Sequence, residues 1–62
     1  MELRAINVFD LGDGYYMPKG EIWKVVGEEG SNIELECVYG INIGMFMEFS
    51  RKQIADLFEV CC

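Results

Sequence analysis

Glu21-Ile-Trp-Lys-Val-Val26, Asn32-Ile-Glu-Leu-Glu-Cys-Val-Tyr39 and Ile41-Asn-Ile-Gly-Met-Phe-Met-Glu-Phe49 are three short apolar runs, broken at Gly27-Glu-Glu-Gly-Ser31 and at Gly40. Runs of this length at about ten-residue spacing, with glycine in the turns, predict a three-stranded antiparallel meander and hence a small sandwich or barrel. The middle run has the clearest pattern. Ile33, Leu35 and Cys37 point one way and Glu34 and Glu36 the other, the period-two signature of a half-buried strand. A slip of one residue would bury both glutamates, so the register is well specified.

In the first run Trp23 and Val25 share a face with Glu21, while Ile22, Lys24 and Val26 take the other, as in a strand curling around a small core. The third run places Ile41, Ile43, Met45, Met47 and Phe49 on the inner face, opposite Asn42, Gly44, Phe46 and Glu48. Phe46 interrupts the solvent face and needs cover from the domain itself, a second copy or another protein. Gly44 within a strand marks a bulge or bend.

After Phe49 the period changes. Ser50-Arg-Lys-Gln53 has the form of a capping box, and Phe49 and Ile54 occupy the two positions of a hydrophobic staple, so a helix is predicted from Arg51 over residues 51–57. Ile54, Leu57 and Phe58 form its apolar stripe. Residues 59–62 read as a final short strand. Upstream, Leu3 to Phe9 reads as a first strand. Asp10 to Gly20, with three glycines and the only proline, reads as one long irregular loop. The expected core is Trp23, Val25, Ile33, Leu35, Ile43, Met45, Met47, Ile54 and Phe58.

Composition narrows the function. The 62 residues suffice for one domain, residues 1–62, and an apolar fraction of 52% argues against disorder. Eleven carboxylates against five bases, with no histidine, leave a formal charge of −6. That sign argues against nucleic acid as a partner, because a phosphate-backbone binder needs clustered Lys and Arg. No apolar run approaches a membrane span, and the N-terminus lacks the basic and apolar regions of an export signal. With three cysteines, Cys37, Cys61 and Cys62, an odd number, the expected location is the reducing cytoplasm. Three thiols without histidine or C-x-x-C spacing do not make a structural zinc site, so no metal is expected. Asp10-Leu-Gly-Asp-Gly14 lacks the spacing and the distal glutamate of a calcium loop, and no phosphate-cradling glycine motif is present. Without histidine to activate a Ser or Cys, no catalytic constellation is legible, and neither an enzyme nor a cofactor is expected.

The order strand, long loop, three-stranded meander, short helix and terminal strand resembles the SH3-like barrel, and the predicted fold is mainly β: a small five-stranded barrel with one short helix before the last strand. Lys19-Gly-Glu-Ile-Trp-Lys-Val25 is similar to the Gly-acidic-x-hydrophobic-x-Val opening of KOW-type small barrels, common in bacterial and phage accessory proteins. The resemblance implies contacts with RNA or ribosome-associated proteins, and the acidic balance turns that expectation toward protein. The expected function is a non-enzymatic protein–protein interaction module, binding another protein or a second copy of itself through Tyr15, Tyr16, Met17 and Phe46, because Tyr and other aromatics are enriched at interface hot spots. The alternative is an acidic inhibitor that imitates nucleic acid. Carboxylates clustered on one face, from Glu28, Glu29, Glu34, Glu36 and Glu48, would favour the mimic; carboxylates dispersed around an apolar patch would favour the module.

Overall fold

The structure is a computed structural model, described over residues 1–61. Its elements in chain order are β1 (Glu2–Ala5), β2 (Phe9–Gly12), β3 (Tyr15–Met17), β4 (Ile22–Glu29), β5 (Asn32–Tyr39), β6 (Phe46–Ser50), α1 (Arg51–Leu57) and β7 (Phe58–Cys61). β6-β5-β4-β1-β7 form one antiparallel sheet, and β2-β3 form a separate hairpin. The five-stranded sheet curls into a half-barrel with one short helix directly before the last strand, the mainly β class that the element order predicts and compatible with a small SH3-like fold.

Curling follows from the bulges. The β4–β5 register shifts between Ile22 and Trp23 and again between Val25 and Gly27, and each irregularity adds local twist and bend. The concave face then wraps Leu3, Ala5, Trp23, Leu35, Cys37, Phe49, Leu57 and Phe58. Phe49 is the hub. Its ring meets Trp23 at 5.9 Å and Phe58 at 5.4 Å, both edge-to-face, and Phe9 at 6.0 Å. Edge-to-face pairs set the positive ring edge against the negative ring face and add about 0.5–1.5 kcal/mol each beyond the area they bury. The Phe9 contact and the complete burial of Met17 pack the β2–β3 hairpin onto this core.

α1 begins as its sequence dictates. Ser50 is the N-cap; its Oγ accepts from the Gln53 amide at 3.1 Å, and the Gln53 side chain accepts from the Ser50 amide at 2.8 Å. Two of the orphan amides of the first turn are thereby satisfied. Ile54 packs against the core that holds Phe49. The helix ends where Phe58 becomes extended, its amide still bonded to the Ile54 carbonyl, and the chain passes straight into β7. Ser50→Ala is expected to destabilise the protein by about 0.5–2 kcal/mol, measured as a shift in the urea midpoint at unchanged slope. A midpoint indistinguishable from wild type contradicts the capping role.

Three expectations are corrected. First, residues 10–20 are not one irregular loop, and the first strand does not run to Phe9: β1 stops at Ala5, and Phe9 opens the hairpin. The hairpin turn places Asp13 and Gly14 at φ 52° and 85°, the two positive dihedrals a type I′ turn requires, and Asp-Gly is a preferred pair for it. Asp10 Oδ1 also accepts from the Gly12 amide at 2.8 Å.

Second, the third apolar run is not a continuous strand. Gly40 to Met45 is a turn, with the Met45 amide bonded to the Asn42 carbonyl at 2.9 Å, and strand geometry begins only at Phe46. Parity is inverted there: Asn42 is buried, while Ile41 and Ile43 are 67% and 68% exposed. Ile43 is therefore not a core residue. The remaining expected core residues are buried or packed against the core, which also takes in Leu3, Ala5, Met17, Cys37, Phe49 and Leu57.

Third, Glu21 lies just before β4 and is 2% exposed. Its carboxylate accepts from Trp23 Nε1 at 3.1 Å, from the Asn42 amide at 2.9 Å and from Asn42 Nδ2 at 3.0 and 3.1 Å. This network causes the inversion. A buried carboxylate must be hydrogen-bonded, and Asn42 can donate from backbone and side chain together only if it turns inward and sends its two isoleucine neighbours out. The final strand is β7, ending at Cys61 among the described residues; Cys62 lies outside them.

Candidate functional site

The half-barrel has a convex face, and the strand register fixes what it carries. One row crosses all five strands: Phe46 opposite Glu36, Glu36 opposite Lys24, Lys24 opposite Glu2, and Glu2 opposite Cys61. In the next row toward the β4–β5 turn, Glu48 stands opposite Glu34, and Glu34 opposite Gly27. Phe46 is 56% exposed at the edge-strand end of the first row, opposite Glu36 and two residues before Glu48. Lys24 reaches Glu36 at 3.9 Å. No ion pair among the described residues reaches Glu34 or Glu48.

Gly27, Glu28, Glu29, Asn32, Glu34 and Glu48 line a groove of about 270 Å³ at that end of the sheet. Ligand pockets for small molecules are mostly apolar and usually larger, so its lining suits a cationic group better than an organic metabolite. Arg51 pairs with Glu28 at 2.8 Å, which leaves Glu29, Glu34 and Glu48 as the groove's carboxylates without an ion-pair partner among the described residues. Glu28, Glu29, Glu34 and Glu48 are thus brought together as the mimic reading requires, while Glu36 belongs to the adjoining row.

The opposite end of β5 is apolar. Eight strand residues at about 3.3 Å each set the two ends roughly 23 Å apart. There Tyr39, Ile41 and Ile43 are exposed on and beside the Gly40–Met45 turn. Asn42 Nδ2 donates to the Tyr16 carbonyl at 2.8 Å, which ties this turn to the hairpin bearing exposed Tyr15 and Tyr16. Met17 is a different case. Strand alternation turns it inward, where it is completely buried, so its side chain is a core element and cannot meet a partner. Exposure of Ile41 and Ile43 was missed by periodicity because their alternation matches a strand; the signal was Glu21, an acid that shares the core-facing side of its run with Trp23 and Val25.

Among the described residues, Cys37 and Cys61 are both free thiols. Cys37 is buried, and desolvation pushes its thiol up, while its Sγ donates to the Tyr39 carbonyl at 3.5 Å; a buried thiol with a raised pKa is inert. Arg4 donates to Glu59 at 2.6 Å, which raises the guanidinium above its ordinary value, and it also lies 3.5 Å from Cys61 Sγ. Among the described residues, no three Cys, Asp or Glu side chains group as metal ligands. No helix of the described residues is long and apolar enough to cross a membrane. No protein-family model, no curated protein and no solved structure matches the chain.

Proposed function

We propose that the protein is a non-enzymatic protein–protein interaction module that binds through exposed aromatic side chains. The observation that carries this reading is Phe46, a large apolar ring standing in water on a strand whose next outward residue is a glutamate. Tyr15 and Tyr16 on the hairpin and Tyr39, Ile41 and Ile43 around the turn are exposed as well, and Asn42 ties that turn to the hairpin. Resemblance to KOW-type small barrels fits an accessory role beside a larger protein.

A second reading is supported by the groove. Carboxylates of Glu29, Glu34 and Glu48 without ion-pair partners among the described residues, beside Glu28, favour an acidic mimic of nucleic acid that occupies a basic protein.

Capture from native lysate followed by mass spectrometry tests the first reading. The wild-type chain is expected to retain a partner that a chain with Tyr15→Ala, Tyr16→Ala and Phe46→Ala releases. Equal retention by both chains rejects the aromatic surface, and loss on Glu34→Gln with Glu48→Gln alone moves the function to the mimic. Sedimentation of the purified chain distinguishes a foreign partner from a second copy.

A further inference from the structure

Glu34 and Glu48 face one another across the β5–β6 ladder, and like charges directly opposite on a sheet are destabilising. Phe46, two residues before Glu48 on the same face, is exposed beside them. Neither feature helps the isolated chain. The chain also has little of its own to cover them: Arg4, Lys24, Arg51 and Lys52 are engaged with Glu59, Glu36, Glu28 and Asp56, and Lys19 alone of the five bases has no ion pair among the described residues.

We propose that the outer face of β4, β5 and β6 is a docking surface for a basic, arginine-bearing segment of another protein, with Phe46 as the stacking platform and Glu34, Glu36 and Glu48 as the anionic surround. The proposal rests on the reading of the chain as a protein-binding module and names the partner's chemistry. Charge complementarity selects the occupant. A second copy would set carboxylates against carboxylates on a chain of net charge −6, and a nucleic acid would do the same. A cation removes the Glu34–Glu48 opposition and stacks on the ring in one step. Arginine suits the site better than lysine, because its planar guanidinium stacks on an aromatic face while its fork donates to carboxylates. The groove beyond Glu34 and Glu48 continues the acidic surface toward Glu28 and Glu29, so an extended segment with several basic residues can lie along it.

Fluorescence anisotropy with a labelled nona-arginine peptide, at about 0.15 M salt so that loose charge attraction is screened, tests this. Phe46→Ala, which leaves the charge intact, is expected to weaken binding by about three- to fivefold, the loss of one exposed cation–π contact. Glu48→Gln should weaken it comparably. Asp13→Asn makes the same change in net charge at the hairpin tip and should leave the affinity unaltered. Both exposed sites on β6 tolerate substitution, and unchanged urea midpoints verify that the variants are folded. Equal weakening by Glu48→Gln and Asp13→Asn, with Phe46→Ala inert, would reduce the binding to net charge and overturn the proposal. Absence of peptide binding overturns it as well, leaving the broader module reading to the capture experiment with the tyrosine variants. A wild-type dimer that Phe46→Ala converts to monomer replaces the basic partner with a second copy.

Discussion

Leu35→Ala is expected to lower stability by about 2–5 kcal/mol, the range for deleting three buried heavy atoms and leaving part of the cavity unfilled. Leu35 is completely buried at the centre of β5, paired with Val25 on β4 and Met47 on β6, so no flexible edge can collapse into the space. A domain of this length rarely has more than about 3–5 kcal/mol in total, and the variant should therefore be largely unfolded at 25 °C. Urea denaturation with tryptophan fluorescence measures it directly, because Trp23 lies in the same core. A change below about 0.5 kcal/mol, typical of surface substitutions, would show that Leu35 is not where the packing places it.

Gly40→Ala is expected to be of similar size, on the order of 3 kcal/mol or more, although it adds a single methyl group at an exposed position. Two effects combine. Gly40 sits at φ 131°, a conformation side chains rarely adopt, and a Cβ there would fall 2.3 Å from Glu21 Cγ and 2.5 Å from its Oε2. A flexible glutamate on the surface would swing aside. Glu21 cannot, because it is buried and its oxygens already accept from Trp23 and from Asn42. Displacing it would leave buried donors unpaired, at about 1–3 kcal/mol each. The loss should be visible both in the urea midpoint and in faster hydrogen exchange of the Asn42 amide, whose acceptor is the displaced carboxylate. Wild-type stability and wild-type exchange together would refute the close approach of this turn to Glu21.

Elements written by local chemistry were readable from the sequence. The β5 alternation from Ile33 to Cys37 and the Ser50–Gln53 capping box each depend on neighbours within a few residues, and each stands in the structure. The β2–β3 hairpin was readable in principle from Asp13-Gly14, since a two-residue turn carries its own signal. The exposure of Tyr16 and Phe46 and the inward turn of Met17, one step along β3, accord with strand alternation, whereas Tyr15 shares the parity of Met17 and is exposed beside the hairpin turn.

What only the tertiary structure decided is the course of residues 40–45. Their alternation of Ile41, Asn42 and Ile43 is that of a strand with isoleucines inside, and hydrophobic burial alone would favour it. A buried carboxylate 21 residues earlier reverses the choice, because leaving Glu21 without donors costs more than exposing two isoleucines. The convex face was decided in the same way. Sequence shows Glu34 and Glu48 as two ordinary surface acids, and only the β5–β6 register sets them opposite each other beside Phe46. Spacing along the chain determines what one strand presents to each side; the pairing between strands, which depends on contacts distant in sequence, determines which of those side chains meet.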